Sequence, residues 1–305
     1  EARYNTNDWK WLPGYTFKAG ANYNINEFNN VFINAGILSI APRYNLFYTN
    51  TSNIPFPDAK QQFIYAAEVG YGIKGRKHAA NLNGYYTYWL NKPPQSFANI
   101  QYAGESYSYQ LQGLTTLHTG FEIDFNGYIL PKVTYEGTFS WGDWTHLSGG
   151  TAYLFDNLGD IADTLEISAE GVHVGDAAQV QGAAGIRYEP FKGFYMKLRG
   201  TYFDKNYANL DPTVLTPILN GAGVVTRDNS NKESWKLPAY YFLDFHFGYQ
   251  FKIKKTVFNL NGSVINLLDR IYITDALNGY NFDATTALVY IAQGRRFNMG
   301  LKVSF

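Results

Sequence analysis

The sequence predicts an all-β fold, a transmembrane antiparallel β-barrel, and three observations carry that expectation. Apolar and polar residues alternate in runs of about ten residues, the mark of strands with one oily and one wettable face. Short connections take turns with long ones along the chain. The composition is aromatic and weakly charged, with 26 Tyr, 22 Phe and 6 Trp among 305 residues and 16% charged residues.

Composition also excludes. The absence of cysteine removes disulfide frameworks, thiolate metal sites and cysteine nucleophiles. Charge is balanced, 25 Lys+Arg against 25 Asp+Glu, without the basic footprint of a general nucleic-acid binder. No apolar run is long enough for a membrane helix. A hydrophobic content of 46% is too high for disorder. A large sandwich, a propeller or a membrane barrel remain.

The strands follow in order. Segment 15–25 sets Tyr15, Phe17, Ala19, Ala21, Tyr23 and Ile25 against Thr16, Lys18, Gly20, Asn22 and Asn24. Alternation recurs near 30–40, 63–74, 78–90 and 113–126. Segment 133–141 opposes Val133, Tyr135, Gly137, Phe139 and Trp141 to Thr134, Glu136, Thr138 and Ser140. Segments 178–189 and 194–204 continue the pattern. Segment 241–251 then lines up Tyr241, Leu243, Phe245, Phe247, Tyr249 and Phe251 opposite Asp244, His246, Gly248 and Gln250, with Phe242 as the exception. Segments 256–267 and 294–305 bring the total to about eleven strands.

Tight turns are expected at Asn26–Asn29, Lys74–Lys77, Gly127–Leu130, Pro190–Gly193 and Lys252–Lys255, and long polar loops at 41–62, 91–112, 146–177, 205–238 and 269–293. A sandwich or propeller would not make every second connection roughly 20–30 residues long. In a bilayer every backbone donor must be paired within the sheet, so the sheet must close, with its apolar side on lipid and its polar side on a wet lumen. Strand-end aromatics Tyr15, Tyr86, Tyr88, Trp89, Trp141, Trp144, Tyr202 and Tyr249 suit interfacial girdles. In this register 1–14 is the tail of an outer loop, and Gly300-Leu301-Lys302-Val303-Ser304-Phe305 is a last strand ending on an aromatic at the inner side. The opening residues have no leader pattern, which fits either a removed leader or a piece of a longer chain.

Several segments resemble one family. Trp11-Leu12-Pro13-Gly14-Tyr15-Thr16-Phe17-Lys18-Ala19-Gly20-Ala21-Asn22-Tyr23-Asn24-Ile25-Asn26 and Val31-Phe32-Ile33-Asn34-Ala35-Gly36-Ile37-Leu38-Ser39-Ile40-Ala41-Pro42-Arg43 are similar to barrel strands of TonB-dependent outer-membrane receptors of the Bacteroidetes type, although Ile40 stands where that family usually has Arg. His173-Val174-Gly175-Asp176-Ala177-Ala178-Gln179 and Leu237-Pro238-Ala239-Tyr240 add to the likeness. Val264-Ile265-Asn266-Leu267-Leu268-Asp269-Arg270-Ile271-Tyr272 resembles the family's Asn-Leu-Leu/Phe-Asp-x-x-Tyr box, and Gly294-Arg295-Arg296-Phe297 its Gly-Arg-x-Phe box. The resemblance implies a plugged 22-stranded barrel in the bacterial outer membrane. Residues 1–305 would be its C-terminal part, with the plug domain and the first barrel half outside this sequence. An open sheet leaves two unpaired edges in lipid, so the rest of the wall is expected from the same polypeptide, a separate chain or a symmetry copy, the first by preference.

No catalytic constellation appears. His78, His118, His146, His173 and His246 have no metal-ligand spacing, and no Gly-x-Ser-x-Gly elbow is present. Asp156, Asp160, Asp163 and Glu166 are either a solvated acidic loop or a calcium-binding one in 156–166; no other cofactor is expected. The basic turn Ile73-Lys74-Gly75-Arg76-Lys77-His78 reads as solubility. Lys18, Glu68, Glu122, Asp124, Glu136, Arg187, Lys197, Arg199, Asp244, His246 and Lys302 are candidate lumen residues, placed to hold a plug through salt bridges and water. Tyr44, Phe47, Tyr48, Phe97, Tyr102, Tyr107, Tyr109, Trp144, Tyr153, Phe155, Tyr280 and Phe282 are candidate ligand-stacking aromatics of the outer loops. The expected function is TonB-dependent import of a scarce nutrient without chemistry of its own. The expected partners are outer-membrane lipid, the plug and remaining barrel, the TonB complex through the plug and, as in the glycan-importing branch, a surface lipoprotein. A passive porin or structural barrel subunit is the second reading, and a soluble carbohydrate-binding or enzymatic module the third.

Overall fold

The computed structural model describes residues 13–42, 47, 60–92, 99–175, 177–211, 214, 218–219, 225–227 and 232–305. Its strands, in chain order, are β1 Thr16–Asn24, β2 Asn29–Ile40, β3 Gln62–Lys74, β4 His78–Leu90, β5 Asn99–Tyr102, β6 Glu105–Gln112, β7 Thr116–Leu130, β8 Val133–His146, β9 Gly150–Phe155 and β10 Ile161–Ile167. They continue with β11 Val180–Tyr188, β12 Phe194–Asp204, β13 Ile218–Leu219, β14 Val225–Arg227, β15 Tyr240–Ile253, β16 Thr256–Ile265, β17 Ile273–Leu277, β18 Leu288–Ile291 and β19 Arg296–Ser304.

Eleven of these form one antiparallel sheet in the order β1-β2-β3-β4-β7-β8-β11-β12-β15-β16-β19, each strand beside its predecessor. Among the described residues β1 pairs with β2 alone and β19 with β16 alone, so both edges are open. No described helix is long and apolar enough to cross a membrane, which says nothing of strands.

Register carries the period-two pattern across the whole sheet. Phe17 faces Ile37, which faces Tyr65, which faces Tyr88. Further along, Ile186 faces Leu198, then Phe245, then Val264, then Phe297. This apolar face is left uncovered: Phe17 is 67% exposed, Val69 60% and Leu301 63%. A water-soluble sheet buries such rows, because each square ångström of apolar surface left in water costs about 25 cal/mol.

The buried apolar core lies outside the large sheet. β5, β6, β9 and β10 form a four-stranded sheet in the order β10-β9-β6-β5, built from two of the long connections. Leu111, Leu154, Leu165 and Ile167 pack there with Tyr109 and Ala152. Leu154 is fully buried. Leu154→Ala is therefore expected to cost about 2–5 kcal/mol of local stability, seen as faster hydrogen exchange in β6 and β9 with β1–β4 unchanged.

Three expectations need correction. The turn placed at Gly127–Leu130 lies at Pro131–Lys132, because Gly127 stays in the ladder between His78 and Tyr135. The 91–112 and 146–177 connections are not plain polar loops, since they pair with each other as β6 and β9. Trp89 and Trp144 do not join a lipid-side girdle. Their register partners Thr116 and His118 put them on the polar face, and Trp144 lies in β8 rather than in a loop.

One packing device repeats. Phe32, Tyr85 and Tyr195 each lie over the glycine directly opposite, Gly70, Gly120 and Gly248. A Cβ at Gly120 would fall 2.3 Å from the Trp141 carbonyl and 2.5 Å from the Tyr85 hydroxyl. Small residues thus let large rings lie flat across the polar face, a cross-strand exchange of volume.

Candidate functional site

The polar face is the first part of the site. Register places Lys18, Glu68, Glu122, Asp124, Glu136, Arg187, Lys197, Arg199, Asp244, His246 and Lys302 on this one face. Most of them group by sign, with Lys18 of β1 and Asp244 of β15 as exceptions. Glu68, Glu122, Asp124 and Glu136 come from β3, β7 and β8, whereas Arg187, Lys197, Arg199 and Lys302 come from β11, β12 and β19.

Hydrogen bonds connect the acidic side across strands. Asn83 donates to Glu68 at 3.0 Å and to Glu122 at 3.4 Å, and Asn34 donates to Glu68 at 3.3 Å. The boundary between the two signs is closed by an ion pair of Lys197 with Glu136. On the basic side Arg187 Nε meets Glu189 at 2.7 Å, and its guanidinium lies 3.7 Å from the centre of the Tyr195 ring. Asp244 faces Arg199 in the register and accepts from the Asn266 backbone N–H at 2.9 Å. Concavities open onto this face. One of about 460 Å³ is lined by Lys18, Asn34, Glu68, Tyr85 and small residues of β1–β3, and one of about 390 Å³ by Asp124, Glu136, Thr138 and Arg199.

Towards the loop end the polar face becomes an aromatic shelf. His118 stacks on Trp144 with ring centres 5.1 Å apart, and Trp144 Nε1 donates to the Tyr85 hydroxyl at 2.9 Å. Trp89 donates to Gln62 at 3.2 Å and lies under the Lys92 ammonium at 5.4 Å. Burial pulls the Lys92 amine down to about 8. Thr116 Oγ1, His118 Nε2 and His146 Nδ1 are buried with no hydrogen-bond partner among the described residues. Trp144, a ligand-stacking candidate of the sequence, belongs to this group, while Thr116, His118 and His146 are not singled out there, although all four share the even parity of Glu122 and Glu136.

The loop crown is the second part. His173 bridges Glu233 at 2.7 Å and Asp143 at 3.2 Å, and stacks on Tyr207 with ring centres 4.3 Å apart. Burial, then the nearby Glu233, Asp143 and Asp204 carboxylates, push the Tyr207 phenol up to about 12. Asn209 donates to Asp275 at 3.1 Å, and Asn278 accepts from the Trp235 N–H at 2.9 Å, tying connection 205–239 to 266–295. Burial raises the Asp275 carboxyl.

Of the ligand-loop candidates, Tyr44, Tyr48 and Phe97 lie outside the described residues. Tyr102 and Tyr107 pack on the four-stranded core, to which Tyr109 belongs, and Phe282 packs there too. Phe47 and Tyr153 pack on buried Phe155. Tyr280 is the most open of those described, at 54% exposure. The structure therefore does not gather these rings into one described pocket. In the 156–166 loop, Asp156 Oδ1 accepts from the Leu158 and Asp160 N–H groups, and Glu166 from Thr151. Among the described residues no group of three or more His, Asp or Glu could hold a metal ion.

The sequence boxes have structural jobs. Asn266 accepts from the Arg270 N–H at 3.1 Å and donates to the Arg270 carbonyl at 2.8 Å, closing a turn. Asp269 Oδ1 accepts from the Arg295 N–H at 2.7 Å, which joins the two boxes. Gln179 returns bonds to both backbone groups of Trp144 and caps the ladder beyond β11.

An open antiparallel sheet of this size, oily on one face and charged on the other, has the two-sided character of a barrel wall. In fold it is the barrel of TonB-dependent outer-membrane receptors, the class to which its structural neighbours belong. It resembles the copper transporter OprC at 14% identity and a TM-score of 0.59, over 94% of this chain and 38% of that one. The siderophore receptor PiuA from Acinetobacter baumannii matches at 16% identity and 0.59, over 94% and 35%. The ferric yersiniabactin uptake receptor FyuA from Yersinia pestis matches at 14% and 0.58, over 94% and 36%. The chain thus spans about a third of the length of these structures. No family model matches the chain, and no curated protein does.

Proposed function

We propose that this chain is the C-terminal part of an outer-membrane barrel that imports a scarce nutrient, energised through TonB. The observation that carries the proposal is the two-sided sheet with open edges, uncovered apolar rows on one face and ion pairs on the other. Its open edges call for further strands, because unpaired backbone groups in hydrocarbon cost several kcal/mol each. The charged polar face suits a folded plug, held by charge-assisted hydrogen bonds that exchange with water when the plug is pulled. The knitted crown is a scaffold on which loop aromatics meet ligand. Neighbours named for copper, siderophore and ferric yersiniabactin transport favour a metal or metal chelate as cargo. Such a protein binds and moves its cargo without transforming it.

The test is uptake by cells whose outer membrane carries the complete protein, scanned over metals, ferric siderophores and oligosaccharides. Accumulation of one cargo at nanomolar supply is expected to vanish when TonB is deleted. Accumulation indifferent to TonB, with swelling of liposomes that hold the protein, would establish a passive pore instead.

A further inference from the structure

Antiparallel alternation sends the five short connections of the large sheet to one end. Four of these turns are cationic. Arg76 and Lys77 lie between β3 and β4, Lys132 between β7 and β8, Lys192 between β11 and β12, and Lys254 with Lys255 between β15 and β16. All six are exposed. The turns hold two acids, Glu27 and Glu189, and Glu189 is engaged by Arg187. At the other end, connection 147–179 has Asp156, Asp160, Asp163, Glu166, Glu170 and Asp176 and no Lys or Arg, while the remaining loop connections carry both signs.

Beside the cations stands an apolar collar. Ile25, Phe28, Ile73, Leu130, Phe191 and Ile253 are each between 44% and 60% exposed. Water would satisfy the cations and leave the collar uncovered. A lipid interface satisfies both, with acyl chains against the collar, phosphates on the ammonium and guanidinium groups, and lysine stems spanning the boundary. Lys132 also donates to the Pro190 carbonyl, which ties two neighbouring turns together and leaves it further N–H donors for a phosphate.

We propose that the turn end of the sheet is a binding rim for anionic glycerophospholipid headgroups. The proposal rests on the membrane-wall reading and adds a lipid chemistry to one rim of it.

The complete protein in neutral detergent is titrated with phosphatidylglycerol, phosphatidylcholine, inorganic phosphate or poly-glutamate, and bound lipid is counted by native mass spectrometry. Phosphatidylglycerol is expected to be held about tenfold more tightly than phosphatidylcholine, with the difference shrinking as salt rises. The variant Arg76→Gln/Lys77→Gln/Lys254→Gln/Lys255→Gln should lose that preference while Lys205→Gln, at the loop end, keeps it. If the fourfold variant does not fold, Arg76→Gln/Lys77→Gln alone should reduce the preference about threefold or more. Equal retention of the two lipids, or a preference untouched in the variants, overturns the proposal. Displacement by inorganic phosphate or by poly-glutamate also overturns it, assigning the rim to a free anion or an acidic protein. Failure of the protein to take up any lipid or detergent is a separate result, which sinks the membrane wall itself.

Discussion

Phe245→Lys is expected to destabilise the membrane-inserted barrel by about 2–4 kcal/mol, the cost of a lysine on the lipid face near mid-membrane. Phe245 stands between Leu198 and Val264 in an unbroken apolar row, so a lysine there has neither a counter-charge nor water. The control is Thr138→Lys on the opposite face. Thr138 lies between Asp124 and Ala183, and the new ammonium would meet a carboxylate across the strand. The measurement is urea-driven unfolding of the complete protein in lipid vesicles, followed by tryptophan fluorescence. Equal damage from the two lysines would mean that the sheet does not divide lipid from water.

Gly193→Ala should cost about 3 kcal/mol, and Gly104→Ala about 1 kcal/mol. Both glycines have left-handed backbone, φ +87° and +88°, so both variants carry the same conformational penalty. They differ in space. A Cβ at Gly193 would lie 2.2 Å from the Gln250 carbonyl oxygen, whereas nothing stands within 4 Å of one at Gly104. Gly193 also accepts from the Gln250 N–H at 2.7 Å, so the two backbones cannot part without losing a ladder bond. Thermal unfolding of both variants separates contact from strain, and equal losses would leave strain as the whole effect.

Much of the wall was legible because a strand in a membrane repeats every two residues over its full length. Tyr15 to Ile25 and Tyr241 to Phe251 state their facing without any partner. Phe242 broke the rule for a reason visible only in three dimensions: it stacks on Tyr272 with ring centres 5.7 Å apart, as does Tyr240 at 4.3 Å. Strand-end position suggests a girdle for Trp89 and Trp144, but parity puts both on the polar face, and parity is the better guide. The crown was illegible for a different reason. β6 meets β9 from the far side of a complete hairpin, and no local pattern announces a pairing between Leu111 and Ala152. Nor does spacing reveal that His173 reaches Glu233, 60 residues away.

That crown pairing prolongs the hairpin beneath it. Thr116 pairs with His146 at the end of β7 and β8, and after a short break Gln112 pairs with Thr151. The paired arms therefore hold the loop ends of β7 and β8 together beyond the large sheet. That end of the hairpin opens less readily than one whose connections are free, because its last rungs part only if the outer pairs part as well.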